Sequence, residues 1–184
     1  MAKLGTCAFL ALLGALLSAA SSALSETPPE ISVKLEAVAQ ELRWMSTDQR
    51  VVVAVREHNL TPPPATAEMT EERWRSLTIL DPIVRGLAKN SLAQYLKTRR
   101  DERISELFVS GADGAKVAFF GKTTSWSHRG KEKHEVPMRG KVWFGAVELD
   151  ESAGVEQIQI GLPVLDQGKP IGSIVVGVAI SKLH

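Results

Sequence analysis

At Ile104 the hydrophobic pattern changes period, and that change constrains the fold more than any other feature of this 184-residue chain. Before it, apolar residues recur every three or four positions, the repeat of one helix face. After it, they alternate or run in short blocks between turn residues, as strands do. Helices followed by strands make an α+β fold with an antiparallel sheet.

In the first half, Ile31, Leu35, Val38, Leu42, Met45, Val52 and Val55 form one stripe, which predicts a long helix over residues 30–59. The stripe is thin in core residues, so half of it is expected to pack on a partner, most simply a second copy of the chain. Thr61-Pro62-Pro63-Pro64 forbids helix beyond it. Residues 70–100 are expected to hold two shorter helices. One starts at Thr70 with Glu71 and Glu72 in its first turn, the other at Asp81-Pro82. Lys97, Arg99 and Arg100 then sit at a helix C-terminus, where cations are favoured.

In the second half, five strands are expected over residues 104–110, 115–120, 141–149, 156–165 and 171–180, forming a sheet across 104–180. Gly111-Ala112-Asp113-Gly114 and Asp166-Gln167-Gly168-Lys169 supply the turns of two hairpins. A polar loop, 121–140, separates the second strand from the third. It is long for such a connection, and long loops tend to carry function.

Residues 1–25 stand apart. Lys3 precedes an apolar run from Cys7 to Leu17, and small residues from Ser18 to Ala23 follow. This is the layout of a secretory signal peptide, cleaved after Ala23 or Ser25. The run is short of the roughly 20 apolar residues a membrane span needs. Export to the periplasm or medium is therefore expected, with residues 26–184 as one mature domain. Cys7, the chain's one cysteine, leaves with the signal, so disulfides and thiol chemistry are not expected. Of 22 Lys+Arg only Lys3 is lost, leaving 21 against 21 Asp+Glu. That balance lacks the basic excess of a nucleic-acid binder.

Catalytic patterns start and fail. Gly121-Lys122-Thr123 has the ending of a phosphate loop, but Lys116 stands where that loop needs its first glycine. His134-Glu135 opens a zinc-protease pattern that Pro137 and Met138 break. His128 and His134 alone are poor support for a zinc site. No nucleophile–base constellation is visible, so no enzymatic activity, cofactor or metal is expected.

Residues 104–180 resemble an extracytoplasmic Cache domain, the PAS-like sensor module of bacterial receptors. The features occur in order: Leu107-Phe108-Val109 with the turn at 111–114, Thr123-Thr124-Ser125-Trp126 with Arg129-Gly130-Lys131-Glu132, Gly145 to Ser152, and the final hairpin through Leu162-Pro163-Val164-Leu165-Asp166 and Gly168-Lys169-Pro170-Ile171-Gly172. The resemblance implies a long N-terminal helix, often used for dimerisation, with the other helices packed on a five-stranded PAS-like sheet. It also implies a small-ligand pocket under the loop. Relatives drive a kinase, cyclase or chemoreceptor. This chain reaches His184 directly after its last strand, so it is expected to lack an output domain and to act through a membrane-receptor partner.

The residues of the loop read independently toward a pocket. Trp126, Arg129, Lys131 and His134 lie in it, Trp143 follows on the third strand, and Asp150 ends that strand. An aromatic wall with a few polar groups suits a small molecule. Arg129 can hold a carboxylate through two parallel hydrogen bonds, and Asp150 can accept from a donor. The basic loop points to an anionic or zwitterionic organic ligand. Two alternatives stay open: the aromatics are core and the charges a solvated face, and the chain is an interaction protein with no ligand.

Overall fold

The computed structural model describes residues 29–150 and 154–183; the expected signal peptide lies outside them. The order of elements is α1 (Pro29–Leu42), α2 (Trp44–Thr47), α3 (Gln49–Leu60), α4 (Glu71–Ser76), α5 (Pro82–Lys89), α6 (Ser91–Thr98), β1 (Ile104–Gly111), β2 (Lys116–Phe119), α7 (Glu132–Met138), β3 (Trp143–Asp150), β4 (Val155–Asp166) and β5 (Lys169–Ala179), closed by a 3-10 turn over Ile180–Lys182. The strands form one antiparallel sheet in the order β2-β1-β5-β4-β3. The α+β fold expected from the change of period, with helices packed on a five-stranded antiparallel sheet, is the fold observed.

Three local features differ from the sequence reading. The 30–59 helix is helical almost throughout but broken. Asp48 has ψ 127°, and its carboxylate accepts from the backbone N–H of Arg50 at 2.9 Å and of Val51 at 3.4 Å, so it caps α3 instead of continuing the helix. The Tyr95 hydroxyl donates to the same carboxylate at 2.6 Å and ties the break to α6. The 70–100 segment holds three helices rather than two, because the Asn90 side chain caps α6 through Ala93 N. The 121–140 loop contains α7, so it is a covering element and not a bare loop.

The N-terminal stripe also has a different use. Leu35, Val38, Leu42 and Met45 are buried in their own chain's core, beside Ile158, Ile160, Leu162 and Val164 of β4 and Ile174, Val176 and Val178 of β5. These four side chains of the stripe are therefore taken up by the chain's own core, and Ile31 is partly buried against it. The outward side of α1 carries exposed Val33 among Glu30, Glu36 and Ala37.

A second core lies on the opposite side of the sheet, at its β1–β2 end. Trp74 of α4 and Val84 and Leu87 of α5 pack there with Phe108, Phe119, Trp126 and Val175. The β4–β5 hairpin turns on Gln167 at φ 49° and Gly168 at φ 80°, both left-handed, which matches the twist of a two-residue hairpin loop. No helix among the described residues is long and apolar enough to cross a membrane.

Replacing Asp48 by Ala removes the α3 cap and the acceptor of Tyr95. The expected cost is about 1–2 kcal/mol in urea unfolding, with the far-ultraviolet spectrum kept. A change within about 0.3 kcal/mol, well below the usual effect of a lost cap, would show that the cap does not hold the break.

Candidate functional site

Strand β4 alternates between two chemistries. Ile158, Ile160, Leu162 and Val164 face the helices, while Gln157, Gln159, Gly161 and Pro163 face the other way. A polar alternate face usually meets water, yet Gln157 and Gln159 are only 2% and 5% exposed. The cover is α7 together with the segment leading into it. Helix α7 packs on β3, β4 and β5, and Gly161 permits the approach: a side chain there would meet Lys133 O at 3.0 Å and Pro137 Cγ at 3.1 Å.

Between this cover and the sheet lies a cavity of about 520 Å³, within the range of about 300–1,000 Å³ typical of small-molecule sites. Gln157, Gln159, Glu106 and Glu148 line the sheet side, with Phe108 and Leu149. Lys122, Thr123, Thr124, His128 and Lys133 line the cover. The side chains are ordered by one another. The Lys133 ammonium donates to Gln159 Oε1 at 2.6 Å, and Gln159 Nε2 donates to Glu106 Oε2 at 2.8 Å. Ser105 donates to Gln157, whose Nε2 donates to Glu148 Oε1 at 3.2 Å. The lining thus presents carboxylates and cations on opposite sides of one space. Burial pushes the Lys133 ammonium below the usual lysine pKa.

Behind the cavity wall is an unusual pair. Lys116 is fully buried. Its Nζ lies 3.2 Å from His128 Nδ1 and 4.7 Å from the centre of the Phe108 ring. Among the described residues no carboxylate forms an ion pair with it. Burial, reinforced by Lys131 and Lys133, pushes its pKa from the ordinary 10.5 down to about 7, against an opposing pull from Glu71 and Glu106. Burial and the Lys116 charge push His128 down to about 2, so its imidazole is neutral. As an ammonium Lys116 can only donate, so in that state Nδ1 accepts and the proton of the neutral ring sits on Nε2. On the same side of the sheet, Ser110 Oγ is buried without a hydrogen-bond partner among the described residues.

The segment that carries His128 is fastened at several points. The Glu71 carboxylate accepts from the backbone N–H of Trp126 at 3.0 Å and Ser127 at 2.9 Å. The Trp74 indole donates to Thr123 O at 2.8 Å, and His128 N donates to Gly114 O at 3.0 Å. These bonds give His128 a fixed position over the sheet.

Of the six residues singled out in the sequence, the five whose side chains are described do not line this cavity. Trp126 is core, with its ring centre 5.2 Å from that of Trp74. Arg129 is exposed, and its guanidinium has no partner among the described residues. These two share a separate groove of about 400 Å³ with His58 and Asp113. There His58 hydrogen-bonds the Asp113 carboxylate at 3.4 Å and holds it below the usual range. Lys131 is exposed and donates to Ser125 Oγ at 2.8 Å. His134 is buried under α7, with Nδ1 2.7 Å from Ser173 Oγ and Nε2 3.4 Å from Ala112 O, and burial lowers its pKa. That pairing fastens α7 to β5. Trp143 is half-buried on β3 opposite Gly161, with its ring over Gly145. Asp150 ends β3 opposite Val155, and its side chain lies outside the described residues.

No family model matches the chain, and no curated protein matches it. Solved structures do. The sensor domain of the V. cholerae histidine kinase DctB is 13% identical, with 84% of this chain and 54% of that chain covered, at a TM-score of 0.48. The ligand-binding domain of the Pseudomonas aeruginosa PAO1 amino-acid chemoreceptor PctC, in complex with GABA, is 12% identical, with 84% and 57% covered, at 0.46. The sensory domain of the Campylobacter jejuni chemoreceptor Tlp3, with isoleucine bound, is 13% identical, with 84% and 57% covered, at 0.41. These neighbours are sensor and ligand-binding domains of a histidine kinase and of chemoreceptors, and the chain spans about half the length of the domains it matches.

The buried lysine makes a prediction about stability. Its pKa is lower in the folded chain than in the unfolded one, so the unfolded chain holds the proton more tightly. The penalty is full below about pH 7 and is relieved as the pH rises toward 10.5. Lys116→Met removes the titration. The difference between variant and wild type in urea midpoint should favour the variant most at pH 6 and shift toward the wild type by pH 9. A difference independent of pH would contradict an unpaired buried ammonium.

Proposed function

We propose that this chain is an exported small-molecule-binding sensor module whose ligand occupies the cavity between α7 and the sheet. One observation carries the reading: Gln157 and Gln159 are buried polar side chains that border a cavity of about 520 Å³ instead of packing against apolar neighbours. Polar groups are costly to bury, and a covered sheet face needs none for stability. Held by Lys133, Glu106 and Glu148, they form a preorganised lining with donors and acceptors already aimed. Cations on the cover and acids on the sheet suit a molecule bearing both charges, such as an amino acid or a related zwitterion. Residues 1–25 carry the export signal, and a membrane-receptor partner supplies the output. The Trp126–Arg129 groove is a second surface and not the ligand site in this reading.

The interaction-protein reading has its own support. Strand β3 is a sheet edge, and Phe144, Val147 and Leu149 are exposed along it. Exposed apolar residues on an edge strand suit a protein partner.

Thermal denaturation of the purified protein against a panel of amino acids and small carboxylates, L-isoleucine and GABA included, separates the two. At a concentration 100 times its dissociation constant, a ligand adds about 2.7 kcal/mol. Gln159→Leu and Lys133→Ala should each weaken the stabilising compound at least about tenfold, the effect of losing a polar contact worth about 1.4 kcal/mol. Arg129→Ala should leave it unchanged. Loss of binding in Arg129→Ala alone would move the site to the second groove. A panel with no stabilising compound would favour the interaction protein.

A further inference from the structure

Lys116 lacks what a buried ammonium ordinarily has. It offers three N–H donors, and it meets one acceptor, His128 Nδ1, and one aromatic face, Phe108. The acids nearest in effect are engaged elsewhere. Glu71 of α4 holds the backbone of Trp126 and Ser127, and Glu106 of β1 accepts from Gln159. The cations around it add to the surplus: Lys131 precedes α7 and Lys133 lies in its first turn. His134 of α7 also faces this group, and Asp113 of the β1–β2 turn acts on His134. Taken together, three lysines, of which Lys116 is buried, Lys133 half-buried and Lys131 exposed, stand against two glutamates around this group.

His128 connects this surplus to the cavity. Its Nδ1 is used by Lys116, the residue lines the cavity, and its Nε2 has no hydrogen-bond partner among the described residues. The proton on Nε2 is therefore a donor left for whatever occupies the space. A carboxylate oxygen is the complementary group.

Resting on the cavity reading above, we infer that the ligand's carboxylate is received by His128 Nε2–H, and that Lys116, acting through the imidazole as a positioning residue, is its counter-cation, so that the ligand and a proton bind together. Burial, with Lys131 and Lys133 nearby, holds the Lys116 pKa down to about 7. A carboxylate beside the imidazole favours the ammonium and raises that midpoint. The bound protein then holds more protons than the free one. Affinity for a carboxylate falls as the pH rises above about 7, by at most about tenfold per pH unit. The proton goes from solvent to Lys116 Nζ, and no covalent bond is made or broken.

The test is nuclear magnetic resonance of the protein labelled at lysine and the backbone, titrated with pH alone, with excess sodium acetate, with excess L-isoleucine, and with sodium chloride at equal ionic strength. Lys116→Met assigns the lysine signal by its loss. The expected result is a Lys116 midpoint near neutrality that acetate or L-isoleucine raises by about one pH unit or more and chloride does not. In parallel, the affinity of that carboxylate should fall with pH in the wild type and be independent of pH in Lys116→Met. Backbone shifts at His128, Lys133 and Gln159 with an unchanged Lys116 midpoint would overturn the proton coupling and leave the cavity reading standing. Absence of shifts around the cavity with both carboxylates would overturn the inference and the cavity reading together. A free-state midpoint near the ordinary 10.5 would overturn the inference by itself.

Discussion

The two-residue period of β4 and β5 is the constraint from which the rest follows. Because successive side chains point to opposite faces, Ile158, Ile160, Leu162 and Val164 with Ile174, Val176 and Val178 make one side of the sheet wholly apolar. That side takes α1, α3 and α6. Fully burying an aliphatic side chain is worth about 1.5–3 kcal/mol, so this one layer outweighs any single polar cost elsewhere in the chain. The other side is released from supplying stability along β4, where Gln157, Gln159, Gly161 and Pro163 stand. At its β1–β2 end a smaller aromatic core, Trp74 with Phe119 and Trp126, anchors the segment that reaches over it.

That division explains where the costs collect. Lys116, His128 and Ser110 are buried on the covered face with few partners, and Ser110 Oγ has none among the described residues. Each group gives up hydration it does not recover within the chain. Lys116 and His128 respond by shifting toward their neutral forms. A covered face built for stability alone would carry aliphatic residues at these positions. Such concentrated cost beside a cavity is the pattern of a site held ready for a ligand, with strain tolerated where function requires it.

The strands were legible because alternation and turn residues are local signals. The expected and observed strand ends agree within about two residues, the usual uncertainty of such boundaries. The break at Asp48 was written in the sequence as a side chain able to cap, but the apolar stripe runs through it without interruption. The site was not legible. Gln157 and Gln159 fall on the polar alternate face, which reads as solvent-facing until α7 is placed over it. Lys116 stands in a short strand where a charge reads as exposed, and only the fold brings His128 to it, twelve residues on. Trp126, an aromatic in a basic loop, reads as a pocket wall or as core, and the fold packs it on Trp74 at the edge of the second groove.

The central claim is that the covered face of the sheet is a ligand cavity. The most direct measurement is a crystal structure of the protein grown with the compound that stabilises it most in thermal denaturation. The account predicts density for that compound between Gln159, Glu106 and Lys133, with a carboxylate within hydrogen-bond distance of His128 Nε2. Density for it beside Arg129 and Trp126, with the space under α7 closed by side chains, would contradict it.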